Sequence, residues 1–195
     1  MAAIQPHRGQ LVTLAADQCS AKPLGTANQN LINQWSVRRL AETLHHDPTS
    51  RMLKAADSET GEIPGIVCWH RYNNGFVGNP VEMGHADSCP EALNIKMYRA
   101  ILDGITEKRK EWTGSGSMLF LTMLKVREPY RRRGAGGALI RWGIEQAAKE
   151  GAPAYVEAAP EAVSVYEKNG FQLVEQVTAS IKDPGIEYPV MRMKA

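Results

Sequence analysis

The chain has 195 residues, of which 43% are hydrophobic and 23% are charged, and its formal net charge at pH 7 is +2. This length and composition suit one soluble globular domain with a sizeable core. The near-neutral charge argues against a general nucleic-acid binder. No apolar run in the sequence approaches the length of a membrane span, which argues against an integral membrane protein.

The cysteines and the N-terminal sequence bear on the cellular compartment. Cys19, Cys68 and Cys89 are widely spaced and form neither a disulfide framework nor a metal-ligand pair. They therefore predict reduced thiols, as in intracellular proteins. The first sixteen residues lack the charged segment and long apolar core of a secretory signal. We expect a cytoplasmic protein, with the nucleus as an alternative location.

In chain order, the hydrophobic pattern predicts a single mixed domain after a short arm. Residues 1–27 show no clean period and predict a loosely ordered arm, in which Gln10–Ala15 is the candidate for a first strand. Residues 28–195 predict one domain, with a long polar loop over residues 73–90. Helices are predicted over residues 28–45, 91–112, 136–149 and 161–169. Strands are predicted over residues 51–57, 63–72, 118–126, 154–158, 171–177 and 188–194.

The most informative segment lies between the strand at residues 118–126 and the following helix. It reads V-R-E-P-Y-R-R-R-G-A-G-G-A-L over residues 126–139, with three arginines followed by three glycines in four positions. A helix N-terminus offers unpaired backbone N–H groups and a partial positive charge. Glycines let an anion approach those groups closely, so the segment predicts a site for a phosphate or diphosphate.

Two motifs in this sequence resemble those of the GCN5-related N-acetyltransferase (GNAT) superfamily. Arg131-x-x-Gly134-x-Gly136 is similar to the family's acyl-CoA-binding signature, Gln/Arg-x-x-Gly-x-Gly/Ala. About thirty residues later, Tyr166-Glu167-Lys168-Asn169-Gly170-Phe171 resembles a motif near the end of that domain. The resemblance covers roughly residues 51–194, is of the fungal type, and does not extend to the first fifty residues.

The resemblance implies a fold and a mode of cofactor binding. The expected fold is a mixed α/β (α+β) acyl-CoA N-acyltransferase fold, whose central, partly antiparallel sheet is splayed at the cofactor site and carries helices on both faces. The co-substrate would be acetyl-CoA, with its pantetheine arm paired to the strand and its diphosphate on the helix amides. The residues expected to bind it are Leu124, Lys125, Val126, Arg131, Arg132, Arg133, Gly134, Ala135, Gly136, Gly137 and Lys168.

The resemblance also implies transfer of an acetyl group to a primary amine by direct attack in a ternary complex. The backbone amide of Val126 would polarise the thioester carbonyl, and Tyr166 would protonate the leaving thiolate as a general acid. Glu157 is the first candidate for the general base, with His70 and Glu82 as alternatives. No metal is expected. A packed aromatic side chain remains the alternative explanation for Tyr166, and an ordinary strand carboxylate the alternative for Glu157.

Several points stay open at the level of sequence. The chain could instead be a catalytically impaired CoA-binding or regulatory module, since its N-terminal region departs from the family pattern. The acceptor could be a small molecule or a peptide amine. Glu82 and Asp87 in the polar loop favour a cationic one. We expect no nucleic-acid or membrane partner, although the arginine cluster keeps a nucleic-acid-associated protein as a rival. The oligomeric state is open, a homodimer included.

Overall fold

The structure is a computed structural model that describes residues 2–6, 29–76, 103, 106–179 and 186–194. Within these residues, seven strands form one sheet: β1 (Ala2–Pro6), β2 (Ser50–Asp57), β3 (Gly65–Tyr72), β4 (Met118–Val126), β5 (Ala154–Glu157), β6 (Gln172–Ala179) and β7 (Ile186–Met193). The helices are α1 (Gln29–His46), α2 (residues 106–113), α3 (Ala135–Glu150) and α4 (Val163–Glu167).

The strands lie in the order β1-β2-β3-β4-β5-β7-β6. Neighbouring strands run antiparallel except β4 and β5, which are parallel. A parallel pair needs a crossover, and α3 supplies it. The connection begins at Gly134, which caps α3 with a φ of 90°, and ends at Gly151, whose φ is 60°. Both values lie in the left-handed region, which glycine adopts without the clash of a Cβ atom.

Side-chain alternation along the strands gives the sheet two buried faces. On one face, Val67 and Trp69 of β3 pack with Leu139 and Ile140 of α3. On the other face, Ile66 and Cys68 pack with Leu44 of α1, and the ring of Trp112 of α2 stacks on Tyr155 of β5. Helices therefore cover both faces, as predicted.

Helix α3 lies unusually close to the sheet. A Cβ atom added at Gly143 would overlap the indole ring of Trp69, which is fully buried. The indole nitrogen of Trp69 donates a hydrogen bond to the Leu139 carbonyl, 3.4 Å away. This close approach holds the start of α3 at the end of β4.

The predicted fold class is confirmed, and the strand at residues 118–126 matches β4 end to end. The sequence analysis missed β1, which pairs with β2 from Ala2↔Asp57 to Pro6↔Leu53. The first-strand candidate, Gln10–Ala15, lies outside the described residues, as do residues 77–102, which hold most of the predicted loop and the start of the second predicted helix. The boundary between arm and domain at residue 27 stays a prediction.

Candidate functional site

The two parallel strands at the centre of the sheet stay paired for only a short distance. Their ladder consists of Leu119↔Ala154, Phe120↔Tyr155 and Leu121↔Val156, and among the described residues no pair joins them further on. The register between β3 and β4 shifts at the same point, because Trp69 pairs with Leu121 and Cys68 pairs with Met123. The bulge at Thr122 bends β4 where it leaves β5. We call the β5-facing side of residues 122–126 the β4 opening.

Backbone alternation determines which residues of β4 face the β4 opening. The amide of Arg127 donates to the Pro64 carbonyl on the β3 side, at 2.8 Å. Because successive residues of a strand direct their N–H and C=O groups to opposite sides, Lys125 also faces β3, whereas Leu124 and Val126 face the opening. Of the three predicted backbone partners, only Leu124 and Val126 can therefore pair with an extended ligand through their peptide groups.

The first turn of α3 lies just beyond the end of β4 and offers unpaired donors. The first helical hydrogen bond runs from the Ala138 amide to the Gly134 carbonyl, 2.9 Å away. The amides of residues 135–137 therefore precede the helical ladder, and Gly134 supplies no side-chain cap. The first turn also lacks an acidic residue. This combination of orphan donors and helix dipole favours a bound anion.

The backbone conformation does not require glycine at two positions of this turn. Neither Gly136 nor Gly137 has a positive φ. A Cβ atom at Gly136 would meet the Val126 side chain at an ordinary 3.4 Å, and the nearest atom to one at Gly137 would be the flexible end of Arg141, at 3.0 Å. The fold alone would accept alanine at either position. The space left bare over these amides fits a diphosphate, which needs close approach to the backbone.

The arginines before the helix are arranged around β4 and Tyr130. The Arg131 Nε donates to the Val126 carbonyl at 3.3 Å. The guanidinium groups of Arg127 and Arg133 lie over the Tyr130 ring, 5.3 Å and 5.7 Å from its centroid. Arg132 has a φ of 61°, which is uncommon for a residue with a Cβ atom. The loop thus concentrates positive charge beside the first turn of α3.

Tyr166 lies on α4, in the same buried cluster as Leu121 and Val156. Its ring is 6% exposed and contacts Phe171 edge to face, with centroids 5.8 Å apart. Burial raises the pKa of the phenol to about 12. The hydroxyl therefore keeps its proton at neutral pH, which a general acid requires. Both the catalytic and the packing explanations of Tyr166 fit this position, and the catalytic one stays a prediction.

The end of α4 approaches the glycine turn. Lys168 is the exposed C-terminal cap of α4. The next residue, Asn169, donates from its side chain to the Val165 carbonyl at 2.8 Å, and its Oδ1 lies 3.8 Å from the Cβ position of Gly137. The sequence analysis named Asn169 only as part of a motif and assigned no role to Asn169 or Arg141. Arg141 could have been found, since it lies four residues after Gly137 on the same helix face.

Glu157 ends β5, on the face of the sheet that α2 covers. Its carboxylate accepts two hydrogen bonds from Arg109, from Nε to Oε1 and from Nη2 to Oε2, each 2.8 Å long. The side chains of Arg109 and Glu157 are 6% and 11% exposed. Because the guanidinium occupies both carboxylate oxygens, this pairing weighs against the predicted role of Glu157 as a base. Sequence analysis did not detect this pair, because its members are 48 residues apart.

The other two candidates for the base are not placed at the β4 opening. His70 is buried on the far side of β3, where its Nδ1 lies 3.2 Å from the Asp47 carboxylate and 2.9 Å from the Thr49 hydroxyl. Its Nε2 lies 3.5 Å from the Cys68 sulfur. Within the structure His70 is a core residue. Glu82, like Asp87, lies outside the described residues.

A cavity of about 680 Å³ lies elsewhere, at the corner of α1 and β2, with Trp142 among its lining residues. No residue of the glycine turn lines it, so we place the candidate site at the β4 opening.

In the part of the chain that the structure describes, no group of three or more His, Cys, Asp or Glu side chains could hold a metal ion. None of the described helices combines the length and hydropathy needed to cross a bilayer.

Comparison with known proteins yields one family and several structures. Residues 106–195 match the family model described as an acetyltransferase (GNAT) domain. No curated protein sequence matches the chain.

Among solved structures, the chain is similar to a polyamine N-acetyltransferase of Drosophila melanogaster, with 13% identity, a TM-score of 0.70 and full coverage of both chains. It is also similar to arylalkylamine N-acetyltransferase 2 of Aedes aegypti, with 14% identity, a TM-score of 0.69, and 99% and 98% of the two chains covered. A third is the histone acetyltransferase HPA2 and related acetyltransferase of Corynebacterium glutamicum, with 18% identity, a TM-score of 0.63, and 100% and 97% coverage. At these identities the likeness establishes a shared fold.

Proposed function

We propose that the protein transfers an acetyl group from acetyl-CoA to a primary amine, because residues 106–195 match the GNAT acetyltransferase domain model. The supporting observation is that the uncapped first turn of α3 lies next to the β4 opening. The opening offers strand-like peptide groups to the pantetheine arm, and the turn offers amides to the diphosphate. Family and geometry thus support the same co-substrate.

The chain's own groups can assist a direct attack by the amine. The Val126 amide faces the β4 opening and would donate to the thioester carbonyl as negative charge develops on its oxygen. The Tyr166 phenol, protonated at neutral pH, would supply a proton to the departing sulfur. The predicted role of Glu157 as base remains untested, and its pairing with Arg109 weighs against it.

A titration followed by a turnover screen tests this proposal. Isothermal calorimetry with acetyl-CoA should show saturable binding, and a thiol reagent should then detect CoA release when amines are added. Agmatine, a polyamine and an arylalkylamine are the first acceptors to try, because two of the similar insect enzymes are named for such amines. Saturable binding without CoA release across a broad amine panel would favour an impaired CoA-binding module. Absence of binding would refute the proposal.

Replacement of Tyr166 by phenylalanine tests the acid step. The ring and its contact with Phe171 are kept, so stability should change by less than about 1 kcal/mol. Loss of a general acid should lower kcat by about 100-fold, while the acetyl-CoA dissociation constant stays within about twofold. Steady-state kinetics and calorimetry measure the two quantities. A variant that acetylates at the wild-type rate would leave Tyr166 with a packing role alone.

A further inference from the structure

The ion pair between Arg109 and Glu157 stands at the point where β4 and β5 separate. Glu157 follows Val156, the last residue of β5 that pairs with β4. On its other side Glu157 pairs with Val190 of β7, so its backbone position is fixed. Its side chain is held by the Arg109 guanidinium, which comes from α2 on one face of the sheet.

The same guanidinium also packs on β4. Its central carbon lies 4.5 Å from the centroid of the Phe120 ring and 5.4 Å from that of the Phe76 ring. Phe120 is a β4 residue and pairs with Tyr155 of β5. Arg109 therefore contacts one strand through an aromatic face and the other through a carboxylate, immediately before the backbone ladder ends.

Only a guanidinium makes both kinds of contact at once. Its planar fork matches the two oxygens of a carboxylate, and its flat face stacks on aromatic rings. An ammonium group binds as a point charge and would keep the attraction without the two-point geometry. Because Arg109 is 5% exposed, its charge also requires the Glu157 partner to offset the loss of hydration.

We infer that Arg109 is a positioning residue for acyl transfer, which through Glu157 and Phe120 fixes β5 against β4 at the base of the β4 opening. Glu157 serves in this arrangement as the anchor of the guanidinium and not as the general base. The thioester end of acetyl-CoA would lie beside this point, so a small change in the spacing of the strands would misplace the reacting carbonyl. The inference rests on the proposed acetyl transfer.

A double-mutant cycle tests the inference. Arg109→Gln and Glu157→Gln each remove one charge of the buried pair and with it the two-point contact. Each should lower kcat/KM for acetyl-CoA by tenfold or more. The Arg109→Gln/Glu157→Gln double variant restores a neutral pair of similar size and should recover to within about threefold of wild type. Lys110→Gln is the matched control, since Lys110 is the next residue on α2, is exposed, and pairs only one turn away with Glu107; it should change nothing.

The pH dependence of kcat separates positioning from a merely structural role. Arg109→Gln removes the cation that faces the Glu157 carboxylate, so the pH profile of kcat should change. The double variant, which has no ionisable side chain at either position, should return to the wild-type profile. Arg109→Lys keeps the charge and should retain the wild-type pH profile while raising the KM for acetyl-CoA several-fold. If Arg109→Gln does not fold, Arg109→Lys and the double variant still give these readouts.

The outcomes distinguish the two proposals. If wild type neither binds acetyl-CoA nor releases CoA, the proposed function fails. If wild type is active and Glu157→Gln loses activity with no recovery in the double variant, Glu157 is the base and the inference is wrong. If the folded Arg109 variants keep the wild-type kcat, KM and pH profile, the pair is structural only, which also overturns the inference.

Discussion

Gly134 and Gly136 are glycines for two different physical reasons. Gly134 has a φ of 90°, a conformation that costs a residue with a Cβ atom about 1–2 kcal/mol. Gly136 lies in ordinary helical backbone, and an added Cβ would have 3.4 Å of room beside Val126. Gly134 thus allows the backbone conformation of the turn, whereas Gly136 leaves space between the end of β4 and the helix amides.

Alanine at Gly136 should separate ligand binding from stability. The helix gains an intrinsically better residue, so the free energy of unfolding should stay unchanged or rise by up to about 1 kcal/mol. The methyl group would occupy the space needed by the diphosphate, so the affinity for CoA should fall at least tenfold, or about 1.4 kcal/mol. Calorimetry with CoA and urea denaturation measure the two effects.

Two further alanine variants complete this comparison. Gly116 precedes β4, and a Cβ atom there would meet only the Thr113 carbonyl, at 3.9 Å; Gly116→Ala should leave CoA affinity unchanged. Gly134→Ala should lose about 1–2 kcal/mol of stability because of its backbone conformation. Wild-type CoA affinity in Gly136→Ala would show that the bare turn is not the diphosphate site.

The position of α3 on the sheet is set by a single small residue. A Cβ atom at Gly143 overlaps the buried Trp69 ring. The overlap involves a rigid indole, so relief requires α3 to move away from β3 and carry its first turn with it. The element that presents the amides therefore depends on packing at its middle.

Gly143→Ala should destabilise the protein by overpacking. The expected loss is about 1–3 kcal/mol in the free energy of unfolding, although alanine is the better helix former. Urea denaturation measures this loss, and Gly136→Ala on the same helix is the control that should show none. Trp69→Phe shortens the ring, so the Gly143→Ala/Trp69→Phe double variant should lose less than the sum of its singles. Strict additivity would argue against direct contact.

At the scale of the molecule, sequence patterns predicted the central strand β4 better than the edge strand β1. The nearly continuous apolar run of β4 is typical of a strand buried on both faces, and β4 was predicted with its correct ends. The edge strand β1 has only five residues and shows no period, so it was missed.

The glycine turn could be placed from sequence because its chemistry is local, within one strand-to-helix connection. Sequence alone could not place two other features: the bulge at Thr122 and the ion pair between Arg109 and Glu157. The bulge is a property of the register between β3 and β4. The pair joins residues on α2 and β5 that meet only after the sheet has formed. No short-range sequence pattern predicts such a long-range contact.

A buried charged pair should make the stability of the whole fold depend on pH. The Asp47 carboxylate at the end of α1 accepts hydrogen bonds from the Thr49 amide and hydroxyl and from the His70 ring. Burial would raise the pKa of Asp47, but the bonds from His70 and Thr49 lower it from 3.8 to about 2. Burial would lower the pKa of His70, but the Cys68 sulfur and the Asp47 carboxylate raise it from 6.5 to about 10.

The direction of each shift fixes the pH range in which the pair stabilises the fold. The Asp47 contribution is complete above pH 3.8 and is lost as pH falls towards about 2. The His70 contribution is complete below pH 6.5 and is lost as pH rises towards about 10. Stabilisation by the pair should therefore be greatest between about pH 4 and 6.5, and should decline on either side.

Replacement of His70 by asparagine should remove the alkaline part of this dependence. At pH 6 the variant should be about 3–5 kcal/mol less stable than wild type, because Asp47 stays buried without its cation. The difference should shrink as the pH is raised from 6.5 to 10, since wild type alone loses a stabilising proton. Urea unfolding curves at half-unit pH intervals measure both proteins. Parallel profiles over that range would show that His70 is neutral in the folded state and that the pair is an ordinary hydrogen bond.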